Sequence, residues 1–149
     1  MRILIAVSGS NDGSSDPVAA AASIPWPEGT EFRVLTVVEG VHPPVAQLLE
    51  GARDVSDVQH TADNIAANTV ASAVAQLQSR GLNADGASPE GDPKSMIADH
   101  AKEWGADLIV VGSCDKSRLE TFFVGSVSRS VVERASCSVL VARAGLPRN

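Results

Sequence analysis

Apolar residues fall along this chain in two kinds of run. Arg2–Ser8 reads RILIAVS, Phe32–Val38 reads FRVLTVV, Asp107–Gly112 reads DLIVVG and Ser138–Arg143 reads SVLVAR. Each is a nearly continuous apolar stretch of strand length, as expected for strands covered on both faces. Between them the period lengthens. From Asp54 to Arg80, residues Val58, Ala62, Ile65, Ala66, Val70, Ala73, Val74 and Leu77 recur at three- and four-residue spacing. That stripe predicts a long amphipathic helix, and Gly81 supplies its stop. Ser15 or Asp16 caps a shorter helix opened by Pro17, and Pro25 and Pro27 end it. Asp92-Pro93 opens a further helix with Ile97, Ala101 and Trp104 on its inner face and Gly105 at its end. Val127, Val131, Val132 and Ala135 mark the last helix.

This alternation requires a third strand near Leu82–Ser88, although NADGAS is poor strand sequence. An edge position suits it. Gly40–Ala52, with Pro43 and Pro44, reads as a long loop, and its apolar part Val41–Leu49 is expected to pack at a dimer interface rather than cover the crevice as a lid, since the two prolines limit its motion. The whole pattern predicts one doubly wound α/β domain over 1–149. It has a five-stranded parallel sheet with helices on both faces, Rossmann-like in plan. Ligands of such sheets bind beyond the carboxyl ends of the strands, where the strand order reverses. If the first and fourth strands are neighbours, Ser8–Ser10 and Gly112–Ser113 meet there.

The segment Gly112–Ser126, GSCDKSRLETFFVGS, carries the clearest chemistry. A glycine ending a strand permits close approach to the backbone. A Gly-Ser pair opening a helix offers N–H groups, a hydroxyl and the positive end of the helix dipole to an anion. The same pair also serves as a plain helix cap. Asp115 places a carboxylate in this loop, with Lys116 and Arg118 close by in sequence. A carboxylate ~4 Å from one phosphate charge costs about 1 kcal/mol in water-like surroundings and about 4 kcal/mol at an intermediate dielectric. A divalent cation bridging the two reverses that sign.

Composition narrows the partners. Hydrophobic residues make up 44% of the chain and aromatics 3%, so the core is built from Val, Ile, Leu and Ala. The net charge of -6 argues against nonspecific nucleic-acid binding and against anionic membranes. The apolar run Ile3–Val7 is too short for a secretory signal core, and no run approaches a membrane span. A cytoplasmic location is the expectation. Two cysteines, Cys114 and Cys137, do not make a disulfide framework.

The opening ILIAVSGS, the EGDP turn, ADLIVVGS and the stretch VGSVSRSVVERASCSVLVAR together resemble the universal stress protein family. The likeness covers nearly the whole chain. It implies a five-stranded parallel fold, frequent pairing through the last strand, and, in ATP-binding members, a Gly-x2-Gly-x9-Gly-Ser/Thr motif. Gly112, Gly125 and Ser126 match that motif, whereas Asp115 stands at its middle glycine and Ser8 at a position where the family commonly has an acidic residue. The resemblance sets Ala6, Val7 and Ser8 under an adenosine, Val37 against the adenine, and Gly112 near the ribose and phosphates. It implies amides from Gly125, Ser126 and Val127 for phosphate, with hydroxyls from Ser126 and Ser128. The cofactor expected is ATP or AMP, with Mg²⁺.

The function this implies is a non-catalytic, homodimeric stress-response protein. SVLVAR, paired with its own copy, would close an open sheet edge. An ATP-dependent hydrolase and a nucleotide-free scaffold remain as alternatives, the first resting on Asp12, Asp16 and Asp115. Asp12 and Asp16 read equally as turn and cap residues. His42, His60 and His100 show no metal-ligand spacing, and His100 is expected to be a satisfied structural histidine. Arg118, Arg129 and Arg134 read as solvated surface.

Overall fold

The structure, a computed structural model, describes residues 1–9, 16–40, 55–113 and 125–143. Strands β1 (Arg2–Ala6), β2 (Glu31–Leu35), β3 (Asn83–Ala87), β4 (Leu108–Gly112) and β5 (Ser138–Ala142) form one sheet in the order β3-β2-β1-β4-β5. Every pairing is parallel. Between the strands run α1 (Pro17–Ala22), α2 (Val55–Gln78), α3 (Pro93–Trp104) and α4 (Ser126–Arg134). The expected loop over Gly40–Ala52 and its lid-or-packing role lie almost wholly outside the described residues.

Strand alternation divides the core into two layers. Ile3 and Ile5 of β1, Phe32 and Val34 of β2, and Leu108 and Val110 of β4 face α1 and α2, where Val18, Ala21, Val70, Ala73 and Leu77 meet them. Leu4, Leu35, Ile109 and Val111 face α3 and α4, against Ile97, Ala101 and Val131. β1 and β4 are completely covered at Ile3, Leu4, Ile5, Ile109 and Val110. This is why their sequences carry no polar alternation.

The helix boundaries follow from local chemistry. Asp16 caps α1 through its carboxylate, which accepts from the Val18 and Ala19 N–H groups. Asp92 caps α3 by accepting from Lys94 N–H, and Pro93 fills the first helical position. Gly105 ends that helix at φ 74°, a left-handed turn that glycine adopts without penalty.

Two expectations need correction. Ile65, placed on the apolar stripe of α2, is 48% exposed. A stripe wider than the sheet beneath it leaves its margin in water. β3 is an edge strand as expected, and its weak sequence has a packing reason. A side-chain carbon at Gly86 would lie 2.2 Å from Val70 Cγ1 and 3.1 Å from Val74 Cγ2 of α2. Only glycine lets α2 sit this close. His100, expected to be a satisfied structural histidine, instead has a buried Nε2 without a hydrogen-bond partner among the described residues.

Candidate functional site

The strand order reverses between β1, which has β2 on its other side, and β4, which has β5 on its other side. Ala6 pairs with Val111 at the carboxyl ends of the two central strands, so the chain leaving Ala6 and the chain leaving Gly112 flank one crevice. The first turn of α4 closes this crevice from the side. Gly125 is buried at its N-cap with φ -57° and ψ 159°, and its carbonyl accepts from Arg129 N–H at 2.9 Å.

Ser128 joins the two parts. It is 5% exposed, and its hydroxyl donates to the Gly112 carbonyl across 16 residues of sequence. The end of β4 and the start of α4 are therefore tied by one buried hydrogen bond. Ser113 N–H adds a bond to the Ala142 carbonyl at 2.8 Å, which anchors the same strand end to β5.

Ala6, Val37 and Val127 are each half-buried and pack against the layer between the sheet and α3/α4, as does Ala87 of β3. Side-chain period two then separates the residues predicted to lie under an adenosine. Val7 packs into the opposite layer, toward α1 and α2. Its N–H donates to the Leu35 carbonyl at 2.9 Å, and its carbonyl accepts from the Thr36 hydroxyl at 3.2 Å. Ser8 is exposed. Val7 and Ser8 line an open cleft of about 480 Å³ between α1 and α2, of mixed polar and apolar lining, together with Asp16, Val18, Asn68 and Thr69.

Among the residues predicted for the site, Ala6, Val37 and Val127 thus lie on the layer between the sheet and α3/α4, and Ser128 ties Gly112 to the first turn of α4. Ser126 is exposed at the first turn of α4. Asp115, with Cys114, Lys116 and Arg118, lies outside the described residues, as do Asp12 and His42. Asp16, weighed as a crevice acid, serves as a helix cap. Arg129 pairs with Glu133 at 3.1 Å on the surface. Among the described residues, no group of three or more His, Cys, Asp or Glu side chains could hold a metal ion. No helix among them is long and apolar enough to cross a membrane. Burial, with the charge of Asp107, pushes the half-buried Cys137 thiol up from its ordinary pKa, which makes it a poor thiolate. Sequence reasoning missed the Ser128 strut, because a serine three residues into a helix carries no local sign of its partner.

The family model described as "Universal stress protein family" matches residues 1–143. The chain belongs to the universal stress protein family. Among curated relatives, the universal stress protein YxiE of Bacillus subtilis is 42% identical over 64 residues, which is 43% of this chain and 43% of that protein. The chain matches less than half the length of the first curated relatives. Solved universal stress protein structures match almost end to end. The protein from Archaeoglobus fulgidus in complex with dAMP superposes with a TM-score of 0.66 at 22% identity, covering 96% of this chain and 98% of that one. The Arabidopsis thaliana family protein with AMP bound gives a TM-score of 0.64 at 20% identity, covering 97% and 92%. These likenesses establish the Rossmann-like universal stress protein fold.

Proposed function

We propose that this universal stress protein is a non-catalytic adenine-nucleotide binder whose ligand lies in the β1/β4 crevice. One observation carries the reading: Ser128 ties the glycine strand end of β4 to the first turn of α4, and Ala6, Val37 and Val127, half-buried on the same layer of the sheet, would form an apolar floor beside it. A flat, weakly polar base suits the floor. An anion suits the helix start, where the amides of Ser126 and Val127 and the Ser126 hydroxyl would hold phosphate. Ser128 is assigned a different role from the one the family likeness implies. Its proton already belongs to the Gly112 carbonyl, so it acts as a positioning residue for the cradle. Structural neighbours with AMP or dAMP bound support the ligand class.

The phosphate chain is expected to be short. If Asp115 stands beside the phosphates, as the family motif implies, its carboxylate would repel each added phosphate charge, and AMP should bind better than ATP unless Mg²⁺ bridges the carboxylate and the phosphates. Of the three acids on which a hydrolase would rest, Asp16 is engaged as the cap of α1, while Asp12 and Asp115 lie outside the described residues. β5 closes one side of the sheet, and Val139, Leu140 and Val141 are each only half-buried there. Pairing of this strand with a second copy is part of the proposal, as is residence in the cytoplasm.

The test is a melting titration with AMP and ATP, each with and without Mg²⁺. At a hundredfold excess over Kd, binding stabilises the folded state by about 2.7 kcal/mol. At roughly 2–4 °C per kcal/mol for a chain of this size, Tm should rise by about 5–10 °C. Unchanged melting at millimolar AMP would refute nucleotide binding. Sedimentation as a monomer at micromolar concentration would refute the dimer.

A further inference from the structure

The α3 side of the β3 edge holds a cluster of charges apart from the crevice. Arg33 of β2 and Asp85 of β3 are register partners and so project from the same face of the sheet. Arg33 grips the Asp85 carboxylate with both arms of its fork, Nε to Oδ1 at 2.8 Å and Nη2 to Oδ2 at 2.7 Å. The same guanidinium lies 4.7 Å from the ring centre of Trp104, and that of Arg2 lies 5.7 Å from it. The end of α3 therefore rests on the arginine that holds the edge strand.

His100 sits one turn before Trp104 on the same side of α3. Its Nε2 is buried and has no hydrogen-bond partner among the described residues. The charged groups that bear on the ring come from each neighbouring element: Arg33 from β2, Asp85 from β3 and Glu103 from α3 itself. Burial first, and the positive charge of Arg33 second, hold the imidazole pKa below its ordinary value, while Glu103 and Asp85 pull the other way. At neutral pH the ring is uncharged and Arg33 keeps both oxygens of Asp85.

Protonation upsets this arrangement. Both ring nitrogens are then donors, Nε2 is buried without a partner among the described residues, and the ring's new charge is of the same sign as the Arg33 guanidinium that bears on it. In the cluster, the acceptor on the neighbouring edge strand is the half-exposed Asp85 carboxylate, each of whose oxygens accepts one bond from Arg33. We propose that His100 is a proton-operated release for the sheet edge: the imidazolium competes with Arg33 for Asp85, the β2–β3 clamp opens, and β3 loosens from the sheet. β3 is suited to this. Of its five residues only Ala84 is buried, and Gly86 contributes no side chain. The Arg33–Asp85 pair is therefore a large part of what its side chains hold.

Amide hydrogen exchange on the intact chain tests the proposal at pH 7.5 and pH 5.5, with rates corrected for intrinsic exchange. The β3 segment should lose protection at least tenfold at the lower pH while β4 changes less than threefold. In His100→Gln, which cannot titrate, the β3 change should shrink below twofold. Equal pH dependence in the native chain and His100→Gln, or no pH dependence in either, overturns the proposal. Asp85→Asn provides a second arm should the glutamine variant fold poorly. There β3 should exchange fast at both pH values, and a retained pH response in that variant would equally overturn it.

Discussion

Replacing Ser128 by alanine isolates the bond that assembles the crevice. The hydroxyl is buried, and its partner is the carbonyl at the end of β4. A typical hydrogen bond contributes about 1 kcal/mol net, but leaving the Gly112 carbonyl unpaired and shielded from water costs about 1–3 kcal/mol. Gly112 is itself half-buried, so water reaches it in part and the lower half of that range applies. The expected loss is about 1–2 kcal/mol, read as a lower urea midpoint with unchanged slope. AMP affinity should fall as well, because the first turn of α4 is no longer pinned to the strand end. A tenfold loss corresponds to about 1.4 kcal/mol of misplacement. Ser126→Ala is the control. That residue is exposed, so stability should change by less than about 0.5 kcal/mol while AMP affinity drops. Native stability and native AMP affinity in Ser128→Ala would refute the strut. Loss of affinity without loss of stability would instead return Ser128 to direct phosphate contact.

Two other perturbations probe packing and charge. Gly86→Ala places a carbon against Val70 Cγ1 and should destabilise by about 1–3 kcal/mol; combining it with Val70→Ala should recover part of that loss, and purely additive urea-denaturation values would show that Gly86 is not a steric requirement. Asp115→Gly removes the carboxylate from the candidate phosphate loop and should tighten ATP by about tenfold or more in the absence of Mg²⁺, measured by calorimetry. Unchanged ATP affinity would mean that Asp115 faces away from the ligand.

What could be read from sequence was whatever depends on near neighbours. β1, β2 and β4 announce themselves because strands covered on both faces must be apolar at successive positions. The caps at Asp16 and Asp92 and the stop at Gly105 are chemistry within a few residues of chain, and each stands where the pattern puts it. That β1 and β4 are neighbours was the condition set for a crevice at their carboxyl ends, and the parallel pairing of Ala6 with Val111 meets it. Other features depended on partners far away in sequence. NADGA forms a strand because α2 presses on Gly86 and Arg33 holds Asp85, and neither reason is visible within the segment. Ile65 and Val132 fit an apolar period yet stay exposed, because a period names a face and not its cover. Alternation sends Ala6 and Val7 to opposite layers, so residues adjacent in sequence serve different clefts. Ser128 has its partner in Gly112, and the charges that bear on His100 come from Arg33 and Asp85; only the folded sheet brought those groups together.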